Sequence, residues 1–377
     1  MNKEIDYFDL AGRKYEEGDY QGALADMNCL IQLDPNLAEA YHSRAVLKSQ
    51  GLNDIEGALA DYDRAIQLEP DNAYSHNARG ILKTDKLNDT EGALADYERA
   101  IQLDPNLAEA YNGRGNLKKD KLNDTDGALV DFNKAIQLNP DDACTYNNRG
   151  LLKYQGLNDI EGALADFNRA IQLNPNFATA YYMRGVMKTG NLNDTEGALV
   201  DYDQAIQLNP NDTCAYIGRG NLKIQKLNDI EGALADYDRA IQLNPNLAEA
   251  YYVRGILKTA NLNDTEGALA DYERAIQLDP NSAYAYNGRG ALKKEKLNDI
   301  EGALADYDRA IQLNPNFAET YYARGVLKFK ERDDRASGIT DMRQAARLFN
   351  QCANTQYYQY SIDLLKEWNK EQAIILK

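Results

Sequence analysis

Histidine, cysteine and tryptophan are scarce in this sequence of 377 residues, which has two His, four Cys and one Trp. Transition-metal sites are built mainly from His and Cys side chains, so this composition leaves little from which to build one. His42 and His76 have no cluster of Cys, Asp or Glu around them at the spacing of metal ligands. We therefore expect no metal and no cofactor.

Long apolar runs and positive charge are also lacking. No segment approaches the roughly 18 apolar residues of a membrane span, and acidic residues stand near Met1 where a signal peptide would be apolar. Lys and Arg number 42 against 59 Asp and Glu, which gives a net charge of −17. Because nucleic acids and anionic membranes are bound largely through Lys and Arg, we expect neither as a partner. These features predict a cytoplasmic protein.

Proline is rare as well, but its placement is regular. The nine prolines, each 35 residues after the one before, are Pro35, Pro70, Pro105, Pro140, Pro175, Pro210, Pro245, Pro280 and Pro315. A fixed period of this length indicates an array of similar supersecondary units rather than compact domains.

Two amphipathic helices are predicted in each unit. In the unit from Ala108, the first helix carries Tyr111, Gly115 and Leu117 on one stripe at helical spacing. The second does the same with Ala128, Leu129, Phe132, Ala135, Ile136 and Leu138.

Polar residues at the helix boundaries predict capping. Asn106 with Glu109 predicts the start of the first helix, and Asn123 with Asp126 predicts the start of the second. Pro140 moves Asn139 out of the α region, so the second helix is expected to end there.

Small residues recur where the two helices must approach each other. Gly80 and its equivalents as far as Gly325 lie on the first helix, and Ala58 and Ala65 with their equivalents lie on the second. Side chains larger than methyl at these places would force the helices beyond the usual interaxial distance of about 8–10 Å.

This pattern resembles the tetratricopeptide repeat. In the unit from Ala108 the matching residues are Tyr111, Gly115, Ala128, Phe132, Ala135 and Pro140. Arg114 and Lys118 depart from the family pattern, and most units have one residue more than the family norm, in the Leu-Asn-Asp turn. The resemblance implies an all-α fold, an α-solenoid wound as a right-handed superhelix, with about ten helix-turn-helix units over residues 1–350. We expect residues 351–377, with Trp368, to form a C-terminal capping helix.

Positions that differ between the units indicate where a ligand could bind. With Ala38 and its equivalents as position 1, positions 5, 6, 9 and 12 of the first helix vary most and lie on or beside one helical stripe. In the tetratricopeptide family this stripe lines the concave side of the superhelix, where extended peptides usually bind. We therefore predict a ligand groove formed by Asn77, Asn112, Asn116, Asn147, Asn148, Tyr182, Met183, Asn221, Tyr252, Val253, Asn287 and Tyr322.

The chemistry of this groove differs along the chain. Asn predominates in the N-terminal half and offers two donors and an acceptor to the backbone of an extended segment. Tyr, Met, Val, Ile and Phe in the C-terminal half would supply pockets for side chains. Neutral drift of an exposed face would produce the same variation. Positions 2, 5, 6 and 9 contain no Lys or Arg from Ala38 to Phe329, so we do not expect the groove to bind the C-terminal carboxylates of chaperone tails.

Fixed charges are predicted to pair within the array. Arg44 and its equivalents as far as Arg324 are each matched by an Asp on the second helix, such as Asp61. A helical period of 35 residues also fits the pentatricopeptide proteins that read RNA. The acidic charge and the placement of the small residues argue against that alternative.

No catalytic motif is present in the sequence. It has neither a Gly-rich phosphate loop nor a nucleophile elbow, and its carboxylates recur once per unit, whereas a catalytic pair would be single. We predict a non-enzymatic scaffold that binds an extended or helical segment of a partner protein in the groove. The alternative is a structural protein whose solenoid self-assembles into homo-oligomers through its ends or convex faces.

Overall fold

The structure of the protein is a computed structural model that describes the backbone of residues 2–331 and 334–375 and the side chains of residues 7–331 and 334–370. Within these ranges the chain forms 21 α-helices and no strand. The chain divides into two compact units, residues 1–191 and residues 192–377, which we call the N-terminal unit and the C-terminal unit.

The helices follow one another as helix-turn-helix pairs, so the predicted all-α solenoid architecture is confirmed. The N-terminal unit holds α1 (Asn2–Glu16), α2 (Tyr20–Leu33), α3 (Ala38–Val46), α4 (Ile55–Leu68), α5 (Ala73–Leu82), α6 (Thr90–Leu103), α7 (Ala108–Leu117), α8 (Thr125–Leu138), α9 (Ala143–Gln155), α10 (Ile160–Leu173) and α11 (Ala178–Met187). The C-terminal unit holds α12 (Thr195–Leu208), α13 (Thr213–Leu222), α14 (Ile230–Leu243), α15 (Ala248–Leu257), α16 (Thr265–Leu278), α17 (Ala283–Leu292), α18 (Ile300–Leu313), α19 (Ala318–Glu331), α20 (Arg335–Gln351) and α21 (Thr355–Ile375). Odd-numbered helices from α1 to α19 are the first helices of the pairs.

Second helices from α4 to α18 begin at an aspartate that follows the asparagine of the turn. Asp124 is the N-cap of α8, and its Oδ1 accepts a hydrogen bond of 2.9 Å from the Gly127 amide. The prediction that Asn123, with Asp126, caps this helix is wrong. Asn123 has a φ of 53°, in the left-handed region that Asn adopts more readily than most residues. The turn needs that conformation, so the cap falls one residue later.

A π-helical turn absorbs the residue that lengthens the repeat. After α7 the chain forms the π-helix Lys118–Leu122, and the Asn123 amide donates to the Lys118 carbonyl five residues back. The Asp124 amide donates to the same carbonyl at 3.0 Å. Hydrogen bonds of this longer register accommodate an extra residue at a helix end. The turn between α1 and α2 is shorter and contains Gly18 at a φ of 79°.

First helices begin in two alternating ways. The prediction that Asn106 and Glu109 cap α7 is wrong, because Asn106 lies in the loop, where its amide donates to Asp104 Oδ1 at 2.9 Å. The N-cap residue is Leu107, which makes no capping bond and instead packs in a buried cluster with Ala73 and Ala100. Apolar residues also precede the helices at Leu37, Phe177 and Leu247. In the intervening helices the side chain at this place caps the first turn, as at Asn72, Asp142, Asp212 and Ser282.

The helices of a pair meet at the small residues, as predicted. A Cβ built on Gly115 of α7 would lie 2.8 Å from Phe132 Cε1 on α8. Phe132 and Ala128 are 0% exposed, and they share a cluster with Leu152 on α9, the first helix of the next pair. Each pair therefore completes its core only against a neighbour.

Arginine side chains join successive pairs. Arg79 on α5 donates through Nε to Asp96 Oδ2 of its own pair at 2.9 Å and through Nη1 to Asp63 Oδ1 of the preceding pair at 2.7 Å. Lys83 adds a contact of 2.9 Å to Asp96, which is only 3% exposed. The predicted Arg–Asp pairs are confirmed, and bidentate contacts with the carboxylate 17 residues later are also made by Arg44, Arg114, Arg149, Arg219, Arg254, Arg289 and Arg324.

Trp368 anchors the last helix of the C-terminal unit. Its ring is 1% exposed and stacks on Phe329 of α19, with ring centroids 4.0 Å apart and planes at 8°. Ile339 and Met342 of α20 complete the cluster, so α21 covers apolar side chains of the last pair, as predicted for Trp368. Among the described helices, none combines the length and apolar character that crossing a membrane requires.

Candidate functional site

The first-helix stripe, which we define as positions 5, 6, 9 and 12 of the first helices, is partly open to solvent in both units. The half-buried members in the N-terminal unit include Asn112, Asn116, Asn148, Tyr182 and Met183. Those in the C-terminal unit include Asn221, Tyr252, Val253, Asn287 and Tyr322. These side chains are held by neighbours yet remain within reach of a ligand.

Asn77 and Asn147 are placed differently from the other predicted groove residues. Their side chains are 8% and 7% exposed, and the Oδ1 of each is buried without a hydrogen-bond partner. Side chains buried to this degree offer little surface to a ligand, so Asn77 and Asn147 do not belong to the open part of the stripe. Ile217, at the same position of α13, is also buried. All three lie on helices that begin with a capping side chain.

Internal hydrogen bonds already use asparagine oxygens of the stripe. Asn112 Oδ1 accepts from Asn148 Nδ2 at 3.1 Å. Asn221 Oδ1 accepts from the Tyr237 hydroxyl at 2.7 Å, and Asn287 Oδ1 accepts from Thr320 Oγ1 at 3.0 Å. These bonds orient the amides and leave chiefly their N–H donors for a ligand. The stripe is therefore suited to carbonyl oxygens, such as those of a peptide backbone.

Aromatic side chains surround the stripe residue Tyr252 in the C-terminal unit. Tyr252 lies between Tyr272 and Tyr284, with ring centroids at 6.3 and 6.2 Å, and Tyr284 contacts Phe317 edge-to-face at 4.9 Å. Burial, with smaller contributions from Tyr272 and Tyr284, raises the pKa of Tyr252 to about 12. The phenol is therefore neutral at pH 7 and can donate or accept a hydrogen bond.

Tyr322 occupies the end of this stripe beside α21. Its ring centroid lies 6.1 Å from that of Tyr357 on α21, nearly perpendicular to it, and 6.5 Å from that of Phe349. Burial raises the pKa of Tyr322. Because α21 packs here, Tyr322 has a structural role as well as an exposed edge.

Apolar clefts open between neighbouring first helices. In the N-terminal unit, a cavity of about 170 Å³ between α3 and α5 is lined by side chains that include Val46, Ser49, Ala78 and Ile81, with Tyr62 of α4 behind them. In the C-terminal unit, a cavity of about 250 Å³ between α13 and α15 is lined by the equivalent residues Asn221, Ile224, Val253 and Ile256, with Tyr237 of α14 behind them.

These clefts place side chains of stripe positions 6, 9 and 12 around a space that is open on one side. Ile81 and Ile256, at position 9, are 43% and 41% exposed, which is unusual for isoleucine. Neither is among the predicted site residues, although position 9 lies on the stripe that the sequence comparison identified as variable. An isoleucine on the variable stripe is the signal that could have identified them.

The comparison with protein families gives a direct match. A family model described as "TPR repeat" matches residues 52–83, 86–121, 120–156, 157–190, 225–259, 260–296 and 295–331, and one described as "Tetratricopeptide repeat" matches residues 178–212. Among curated proteins, none matches the sequence.

Solved structures show the same architecture. The human IFIT1 dimer with PPP-AAAA is similar with a TM-score of 0.59 and 14% identity, over 94% of this chain and 89% of that one. A tetratricopeptide repeat protein from Parabacteroides merdae gives 0.53 and 20% identity, over 68% and 98%. PilF from Pseudomonas aeruginosa gives 0.52 and 19% identity, over 59% and 97%. These likenesses show the fold, and the family matches extend over most of the sequence. The chain belongs to the tetratricopeptide repeat family.

Proposed function

We propose that this protein is a scaffold that binds an extended or helical segment of a partner protein along the first-helix stripe and performs no chemistry. Membership of the tetratricopeptide repeat family supports a general role in protein–protein interaction. The position and chemistry of the stripe support the finer proposal of where and how the partner binds.

The recurrence of one cleft in two units is the observation that carries this proposal. The cavity beside Ile81 and the cavity beside Ile256 use the same three stripe positions, and each exposes an isoleucine at its mouth. Each cleft can take one apolar side chain of a segment that runs along the stripe of its own unit. In the N-terminal unit, amide donors such as those of Asn112 and Asn116 can bind the backbone of that segment.

Photo-crosslinking followed by affinity measurement tests this proposal. A photoreactive residue placed at Ile81 or Ile256 is expected to crosslink a partner segment, whose affinity is then measured by calorimetry. Changing both isoleucines to Asp should weaken binding of that segment by tenfold or more, because a carboxylate would be buried against apolar groups; tenfold corresponds to about 1.4 kcal/mol.

Val130 and Val200 provide the matched control, since each is 65% exposed on a second helix, one in each unit. The double change of these valines to Asp should leave the affinity within about twofold, as expected of surface substitutions worth within about 0.5 kcal/mol. Equal losses in both double variants would refute binding along the stripe. Crosslinks only to other copies of the chain would favour the self-assembling alternative.

A further inference from the structure

A pocket at the N-terminal end of the N-terminal unit lies outside the residues that match the family models. It has a volume of about 310 Å³ and is formed between α1 and α3. The residues that define what we call the α1–α3 pocket are Phe8, Gly12, Tyr15, Met27, His42 and Val46. It is larger than the clefts of about 170 and 250 Å³ between later first helices.

The pocket exists because one side chain is missing. Lys14 contacts Asp26 at 2.6 Å and the Gly22 carbonyl at 3.5 Å, just as Lys48 contacts the Asp and Gly of its own pair at 2.7 and 3.3 Å. This equivalence places Gly12 at position 9, where every later first helix from α3 to α19 has a side chain.

Glycine at position 9 of α1 weakens the helix, although no neighbouring group packs close enough to require the absence of a side chain. A Cβ on Gly12 would meet no atom within 4 Å, in contrast to the collision at Gly115. Gly in a helix interior costs about 1 kcal/mol relative to Ala. The helix is therefore less stable than it could be, and the result is an open space rather than a tighter contact.

His42 lines the pocket with an imidazole, and the other polar groups of the lining are the hydroxyls of Ser43 and Tyr15. Its Nδ1 lies 3.0 Å from Ser75 Oγ, and its ring meets Tyr62 edge-to-face at 5.5 Å. Burial lowers the pKa of His42, so the ring is neutral at pH 7. Once Nδ1 is engaged by Ser75, Nε2 is the ring nitrogen that is left for a ligand. It donates or accepts depending on the tautomer.

We propose that the α1–α3 pocket binds an aromatic ring that carries a hydroxyl group, with the ring against Phe8, Met27 and Val46 and the hydroxyl on Nε2 of His42. A hydroxyl group can both donate and accept, so it satisfies either tautomer. An apolar cavity of about 150 Å³ already holds benzene, so a space about twice as large admits one ring or two fused rings.

Calorimetry with the full chain tests this proposal through two probes of similar shape. The wild-type protein should bind 2-naphthol about fivefold more tightly than 2-methylnaphthalene, because one hydrogen bond contributes about 1 kcal/mol. His42→Phe keeps a ring and removes both nitrogens, so it should reduce this difference to within about twofold. Equal affinities for the two probes in the wild-type protein would overturn the role of His42.

Substitutions at Gly12 test the location of the site. Gly12→Leu fills the space and should lower the affinity for 2-naphthol by tenfold or more, whereas Gly12→Ala adds one methyl group and should change it by less than about threefold. Both variants are first checked for unchanged circular dichroism. Unchanged binding by a folded Gly12→Leu protein would refute the site. If Gly12→Leu does not fold, loss of the 2-naphthol preference in His42→Phe decides the question instead.

A third probe distinguishes the source of the ring. N-acetyl-tyrosinamide carries the phenol between two main-chain amides, as a tyrosine in a protein does. Binding of this probe at the site defined by Gly12 identifies a tyrosine side chain as a ligand. Binding of 2-naphthol alone identifies a free aromatic molecule. Binding of neither refutes the proposal.

Discussion

The first helix pair and the internal pairs differ in the cations that contact the buried aspartate of the second helix. In the pair of α1 and α2, Lys14 is the cation that contacts Asp26 among the described side chains, and Leu10 stands at the place of the repeated arginine. In the pair of α5 and α6, Asp96 receives both Arg79 and Lys83. Arg79 also reaches Asp63 on the preceding second helix, and no second helix precedes α1 in the described part of the chain. The comparison shows that lysine contacts the Asp of its own pair, whereas arginines such as Arg79 contact both that Asp and the preceding pair.

Replacing the aspartate on the second helix should distinguish an internal pair from the first pair most clearly. Asp96→Ala leaves two partly buried cations without their partner and should destabilise the N-terminal unit by about 3 kcal/mol. Asp26→Ala leaves only Lys14, which is 26% exposed and can turn to solvent, so the cost should be about 1 kcal/mol. Urea denaturation with hydrogen exchange of the α5 and α6 amides measures both. Equal costs would contradict the distinction between the two kinds of pair.

Changing glycine to alanine should lower the stability of an internal pair and raise the stability of the first pair. Gly115→Ala puts a methyl group 2.8 Å from Phe132 and should destabilise the α7–α8 pair by about 1–3 kcal/mol. Gly12→Ala meets nothing and should stabilise α1 by up to about 1 kcal/mol through helix propensity. Thermal unfolding of the two variants tests this. A loss of stability in both would mean that the α1–α3 pocket is smaller than the structure shows.

Acidification should affect the two regions in different pH ranges. Burial alone would raise the pKa of Asp96, but hydrogen bonds from His76, Arg79 and Lys83 lower it well below its usual value. The stabilisation from Asp96 is therefore present above the unfolded-state pKa of about 4 and is lost as the pH falls below it. Burial lowers the pKa of His42, so its neutral form stabilises the folded state above about pH 6.5. As the pH falls, this stabilisation decreases before that from Asp96 does.

Hydrogen exchange between pH 7 and pH 3, corrected for intrinsic rates, measures this smallest effect. Amides of α1 and α3 should begin to lose protection as the pH falls below about 6.5, and those of α5 and α6 only below about pH 4. The variant His42→Phe should abolish the first change and leave the second. Simultaneous loss of protection in all four helices would show that the regions do not titrate separately.

The sequence predicts the pairs, the close contacts and the ion pairs because each depends on residues that recur in most units. Pro140, Gly115 and Arg114 each represent a row whose members meet the same surroundings. Contacts within a pair are short in sequence, so their physical chemistry can be derived from one copy.

Features that depend on two successive units were not predicted. Leu107 and Asn72 occupy the same place, but one is buried against the preceding pair and the other caps its own helix. Treating all copies as equal therefore misplaced the cap at Asn106 and counted the buried Asn77 and Asn147 among the groove residues. The α1–α3 pocket was missed for a related reason, since the shorter first turn shifts the alignment by one residue and conceals that Gly12 is equivalent to Val46.

The alternation of helix starts has a consequence for how such a chain can grow. From Leu37 to Phe317, an apolar residue and a capping residue take turns without interruption. Gain or loss of one 35-residue block would bring two starts of the same kind together, whereas gain or loss of two blocks would restore the order. The 70-residue doublet is therefore the block whose gain or loss keeps every helix start in its present order, and we expect length variants that fold well to differ by whole doublets.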